Sequence, residues 1–236
     1  MRSFVAAPLA LLAGLIATSA SAAPEQLDQL EPGKGTWQAE YHSTFDRGDE
    51  SERSLEAMFG LGRRVAVGIE LEAERSDGRM AVEAVAGKLL YRLTPDGSKV
   101  GAGLQLQLAV DGQAVMTEAE LRFIVETRKR GWWGQANLML RRSAESGNAE
   151  LNGAYAWSVQ RSIAGVGWLG IEGSGQRPLS CGSTGCGESG HSAGPSLTTE
   201  LELGRTREAE IGFALLHRLS GRGPRTNPRF FVQISF

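Results

Sequence analysis

Three places in the chain bring together residues able to do chemistry. Gly190-His191-Ser192-Ala193-Gly194 fits G-x-S-x-G, the elbow that presents a nucleophilic serine in α/β-hydrolases. That elbow needs a strand before it and a helix after it. This match sits in a Gly-rich loop leading into a strand, so chance is the better account of it. His217 and Ser220 form a second pair. A serine nucleophile requires an imidazole within hydrogen-bond reach and an acid to orient it, and no acid partner is evident beside these two. Cys181 and Cys186 are the third place, close together in a Gly/Ser-rich stretch. A metal would need further ligands where only His191 is at hand, so no metal site is expected. A disulfide clamping one loop is the natural expectation for an exported chain.

Far more numerous are carboxylates recurring at alternate positions: Glu70, Glu72 and Glu74, then Glu118, Glu120 and Glu126, then Glu200, Glu202 and Glu210. They face a smaller basic set that includes Lys88, Arg92, Arg122 and Arg141. Such charges either line water and select what passes, or pair across a tight space and stiffen it. Gln105, Gln107 and Asn137 share the same alternation. No cofactor motif accompanies them.

The N-terminus bounds the compartment. Arg2 is followed by an apolar stretch from Phe4 to Ala17 and by Ala20-Ser21-Ala22, the pattern of a cleaved secretory signal peptide over residues 1–22. Removing it takes one of 25 basic residues and none of the 27 acids, leaving 24 against 27, a net charge of minus 3. That balance does not point to nucleic acid. After the signal no apolar run approaches the roughly 18 residues of a membrane-spanning helix, which leaves a soluble exported protein or a barrel.

From Trp37 onward the apolar residues recur with period two. Val65, Val67, Ile69, Leu71 and Ala73 alternate with Ala66, Gly68, Glu70, Glu72 and Glu74, and a strand sends the two sets to opposite faces. The same grammar runs through Val100 to Val110, Thr117 to Thr127, Leu151 to Val159 and Arg229 to Phe236, each about 9 to 11 residues, enough for a tilted strand to cross a hydrocarbon layer. Weaker strands are expected from Thr36, Arg53, Met80, Trp132, Ile163, Ser196 and Arg207. The expected fold is all-β: a closed antiparallel up-and-down transmembrane barrel of 12 strands, with 10 as the alternative because Met80 to Leu93 and Ile163 to Gly173 are blurred. Residues 23–35 are read as a short N-terminal periplasmic segment and 36–236 as one barrel domain. Short turns at Gly62-Arg63-Arg64, Thr94 to Lys99 and Gln160 to Ser162 are set against longer loops at Asp46 to Glu52, Gly173 to Gly194 and Ser220 to Pro228.

A soluble sandwich would also alternate, with a polar face carrying Lys, Thr and mixed charge. Here that face is rich in Glu, Gln, Arg and small residues, as a narrow lumen would favour. Trp37, Tyr41 and Phe45 share a face, Trp132 and Trp133 open another strand, and Tyr155 and Trp157 lie near the end of a third, as interfacial belts would have them. In Phe230, Val232, Ile234 and Phe236 the chain resembles the outer-membrane β-barrels of Gram-negative bacteria, whose last strand alternates apolar residues and ends in Phe. The resemblance implies outer-membrane lipid as the surroundings and, through that strand, the barrel-assembly machinery as a partner. Leu30-Glu31-Pro32-Gly33, Trp37 and the junction at Gly62-Arg63-Arg64 also resemble small barrels labelled as transporters in aromatic-compound degradation pathways.

The expectation that follows is a narrow passive channel for small solutes, mildly cation-favouring, lined by Glu70, Glu72, Gln105, Gln107, Glu118, Glu120, Arg122, Glu126, Asn137, Arg141, Glu200 and Glu202. The alternatives are a lipid-modifying hydrolase using His217, and a closed structural or adhesive barrel whose lumen is filled by Glu/Arg pairs. Gly68, Gly101, Gly103 and Ala154, pointing inward, are read as leaving some space.

Overall fold

The computed structural model describes residues 27–30, 33–45, 51–76, 79–145, 148–164, 166–181, 189–204, 207–221 and 225–236. The described residues form twelve strands: β1 (Trp37–Phe45), β2 (Ser51–Gly60), β3 (Val65–Ser76), β4 (Arg79–Arg92), β5 (Gly101–Val110), β6 (Met116–Lys129), β7 (Trp132–Glu145), β8 (Asn148–Ile163), β9 (Gly167–Ser180), β10 (Gly190–Glu202), β11 (Glu208–Ser220) and β12 (Thr226–Ser235). Each pairs antiparallel with its neighbours in sequence, and β1 pairs with β12, closing the barrel. At that seam Trp37 and Phe236 exchange both backbone hydrogen bonds, at 2.8 and 3.0 Å. The expectation of 12 strands holds, and 10 is excluded. The signal-peptide expectation falls on residues outside those described.

Side-chain alternation sorts the wall into two faces. Val67, Leu89, Leu106, Leu121 and Leu140 are register partners across five strands, and all but the half-buried Val67 are exposed on the outside. One residue over, Lys88, Gln107, Glu120 and Arg141 form the matching row on the inside. Apolar surface outward and polar surface inward is the reverse of a water-soluble barrel, and the outer row is far too continuous for a monomer surrounded by water.

Several sequence expectations need correction. Gln160 to Ser162 is not a turn but part of β8, which extends over 16 residues. The loop expected over Gly173 to Gly194 is mostly strand, because β9 runs to Ser180 and β10 resumes at Gly190. Strands project further than the hydrocarbon layer demands, so the connections do not divide neatly into short and long: 93–100 is longer than 111–115 at the opposite rim. We call the rim where β1 starts and β12 ends the near rim.

The blurred parity of Met80 to Leu93 has a structural cause. Glu72 pairs with Ala84 and Ala73 with Val82, so Glu83 is an extra, bulged residue, and Val82 and Val85 both face out despite their odd spacing. Similar register shifts occur beside Thr117, Leu179 and Leu219. All four lie toward the far rim, where a bulge twists the strand as it leaves the regular wall.

The largest departure is at the N-terminus. Leu27 to Leu30, expected to stay outside in the periplasmic segment, lie inside the barrel: Asp28 and Leu30 are buried, and Leu30 is only 1% exposed.

Candidate lumen site

The wall of β2 to β6 encloses a packed half of the lumen. Lys88 reaches Glu56 and Glu70 at once, the latter at 2.8 Å, with all three side chains buried. Arg122 bridges Asp28 at 2.6 Å and Glu120 at 2.8 Å, and Arg141 from β7 adds a second contact to Glu120 at 2.8 Å and one to Glu118 at 3.2 Å. Buried charges persist only when partnered in this way, since leaving one ion of a buried pair without its counter-ion costs about 3–5 kcal/mol.

The N-terminal segment completes that half. Gln105 donates to Asp28 at 2.6 Å, and the Asn137 amide oxygen is placed to accept from the Asp28 backbone N–H 2.6 Å away. Burial pushes the Asp28 carboxyl upward, but the opposing effects, led by the charges of Arg122 and Lys88 and the Gln105 hydrogen bond, hold the group below the ordinary carboxylate value. Leu30 packs with Met58, Ala66, Leu90 and Ile124, and its carbonyl accepts from Arg92 at 2.7 Å. The inward glycines do not leave open space as expected. A Cβ on Gly101 or Gly103 would fall 2.6 or 2.5 Å from the Leu30 methyls, and one on Gly68 would fall 2.2 Å from the Met58 sulfur. Those glycines are the hollows into which larger side chains fit.

The wall of β7 to β12 and β1 is different. It carries Ser158, Gln160, Ser174, Ser196, Thr198 and Gln233, small or neutral and buried. Its charges are fewer: Arg229 pairs with Glu172, and His42 meets Glu40 at 2.6 Å. A cavity of about 20 Å³ remains against this wall, roughly room for one water, bounded by Leu27 and Gln29 on the segment's side. Phe231 reaches into it because Gly212 beside it has no side chain; a Cβ there would lie 1.9 Å from the ring.

At the near rim Arg128 stacks over Trp133, 3.8 Å from the ring centre, with Trp168 at 5.6 Å, and pairs with Glu200 at 2.7 Å. It also reaches Glu210 at 3.7 Å, whose other oxygen accepts from Gln29 at 3.0 Å. A chain of contacts thus ties the segment to the rim.

Of the residues expected to line the lumen, Glu70, Gln105, Gln107, Glu120, Arg122 and Asn137 are buried inside it. Glu72, Glu118, Glu126 and Arg141 are half-buried; Gln107 donates to Glu72 at 3.4 Å and the Leu30 N–H points to Glu126 at 3.5 Å. Glu200 and Glu202 are exposed toward the near rim. Sequence reasoning missed Asp28, Glu40, Glu56, Glu172, Arg128 and Arg229. Arg229 shares parity with Phe231 and Gln233, a readable sign of an inward position, whereas nothing in the short run before Pro32 marks Asp28 as a lumen residue. Trp133, expected in an interfacial belt with Trp132, is buried in the lumen, while Trp132 is exposed outside beneath Arg161.

The chemistry-bearing motifs separate. Ser192 lies within β10, so no elbow forms. His217 Nδ1 lies 3.3 Å from the Thr226 hydroxyl. Ser220 is three residues along the same extended strand, about 10 Å away by strand rise, so the pair cannot act together as placed. His191 is stacked on Tyr155 and hydrogen-bonded to its hydroxyl at 2.8 Å. Cys181 follows the end of β9, and Cys186 lies outside the described residues. Phe230, Val232 and Ile234 face outward on β12, opposite in parity to the buried Arg229 and Gln233, with Phe236 exposed beyond them.

No family model matches the chain, and no curated protein does. Among solved structures the barrel is similar to the NanC porin, at 10% identity and a TM-score of 0.58, over 84% of this chain and 98% of that one. It is similar as well to an outer-membrane channel from Pseudomonas putida F1, at 10% identity and a TM-score of 0.57, over 89% of this chain and 98% of that one. At such identity the likeness establishes the shared fold: a closed antiparallel barrel of 12 strands.

Proposed function

We propose that this protein is a narrow passive channel for small solutes in a bacterial outer membrane, closed in the described state by its own residues 27–30. The observation that carries this reading is the two-faced wall: a continuous apolar exterior suited to lipid, around a lumen lined with polar and charged side chains. The porin and the channel that share its fold support the same reading. Residues 1–22 would act as a cleaved export signal, the last strand with Phe236 would be read by the barrel-assembly machinery, and Cys181 with Cys186 would form a disulfide in the oxidising envelope.

The test is single-channel recording in a planar bilayer. The intact protein should give small or rare openings, and a variant lacking residues 24–30 should give larger, longer ones. A second reading, a permanently closed structural barrel, is favoured by the ion pairs that fill the β2–β6 half. It predicts no conductance from either protein.

A further inference from the structure

We propose that water and solute move along one side of the lumen only, the wall of β7, β8, β10, β12 and β1, and that this wall holds a hydrogen-bonding site for a small neutral solute at His42, Gln135 and Gln160. This rests on the channel reading above and says where and what the channel passes.

The observation is an imbalance of hydrogen bonding. Among the described residues, seven of the ten buried side-chain polar atoms without a partner lie on β1, β7, β8 or β12, three lie on β2, and none lies on β3 to β6. A buried polar group left unpaired costs about 1–3 kcal/mol, so a cluster of them marks a surface built to meet water or a ligand. Three of these atoms, His42 Nδ1, Gln135 Nε2 and Gln160 Oε1, belong to residues that line one cavity. His42 and Gln160 are buried, at 7% and 4% exposure.

Their chemistry selects the ligand. In the uncharged tautomer whose Nε2–H donates to Glu40, His42 offers Nδ1 as an acceptor. Gln160 uses its amide nitrogen on Ser196 at 3.2 Å and Thr198 at 3.1 Å, leaving its oxygen to accept. Gln135 offers N–H. Two acceptors and a donor suit hydroxyl groups, which give and take a hydrogen bond each. The carboxylates lining the cavity are both engaged, Glu172 by Arg229 and Glu40 by His42, so the site has no strong call for an ion. Trp133 and Phe231 add apolar faces for the carbon side of such a molecule. The fit is to a small polyol, which would enter as the Leu27 and Gln29 side chains give way.

Two measurements test this separately. In a background with Cys181 and Cys186 replaced by serine, single variants Ser158→Cys, Thr198→Cys, Ala86→Cys and Ala109→Cys are exposed to a small neutral methanethiosulfonate, after heat-dependent gel mobility shows each barrel folded. Cysteines at 158 and 198 should react at least tenfold faster than those at 86 and 109; equal or reversed rates overturn the one-sided path, whatever the protein transports. Glycerol-driven swelling of vesicles carrying the protein then reads the site. Gln160→Leu and Gln135→Leu should slow it severalfold relative to wild type, while Ala109→Val should not. Swelling by the wild type that those two leucines do not change overturns the site but spares the channel. No swelling by the wild type or by the variant lacking residues 24–30 overturns both.

Discussion

The two halves of the lumen solve the same problem in opposite ways. Around β2 to β6 the buried charges Glu56, Glu70, Lys88, Glu120 and Arg122 are each met by another charge, and the remaining space is taken by Leu30 and its apolar neighbours. Around β7 to β12 and β1 the lining is mostly uncharged amide and hydroxyl, and part of it is left without protein partners. A buried ion pair is rigid because either ion alone is intolerable, whereas a neutral polar wall tolerates water exchanging against it. One half is built to stay shut, and the other to be wetted.

Removing the cation at the centre of the packed half should have the largest effect. Lys88→Met leaves Glu56 and Glu70 facing each other and should cost about 3–5 kcal/mol, read from urea unfolding midpoints of the protein in vesicles. Arg229→Met removes the partner of Glu172 on the other side, where water can take its place, and should cost less than half as much. Equal shifts for the two variants would erase the distinction between the halves. Next comes Leu30→Ala, expected to weaken docking of the N-terminal segment by about 2–3 kcal/mol and to appear as a higher open probability in bilayers.

Acidity should act through Asp28. A carboxyl held below its ordinary pKa adds stability above that value and loses it as pH falls through the depressed one. Docking should therefore be unchanged from pH 7 to about 5 and fail only below the ordinary Asp value of 3.8. Conductance rising already between pH 7 and 5 would assign the control to another group. The smallest effect belongs to Arg128→Gln at the near rim. The loss of a half-exposed ion pair and a ring contact should weaken docking by no more than about 1 kcal/mol, seen as a slight rise in opening frequency.

The wall was legible from sequence because a strand has only two faces, and a lumen and a bilayer make incompatible demands on them. Glu70, Gln105, Glu120 and Asn137 could be placed inside by parity alone. Where a bulge intervened, as at Glu83, parity reversed and the pattern blurred, since one extra residue exchanges the faces for everything beyond it. What parity cannot supply is distance across the lumen. It identified Lys88 and Glu70 as inward but not as partners, and it read Gly101 and Gly103 as space when they are hollows filled by Leu30. The segment itself was hidden because four residues without periodicity carry no signal of where they dock. Trp133 shows a related limit: an aromatic at a strand end looks the same whether it faces headgroups or the lumen, and only its neighbour Trp132 faces out.

The seam between β1 and β12 has a consequence in time. Every other pair of neighbouring strands is joined by a short connection and can zip soon after both are present. The pair that ends with Trp37 and Phe236 exchanging hydrogen bonds joins residues separated by nearly the whole described chain. Bringing such distant segments together costs about 3 kcal/mol more loop-closure entropy than a five-residue turn does. Closure of the ring is therefore the late, slow event of folding, and until it happens both edge strands present unpaired backbone to their surroundings.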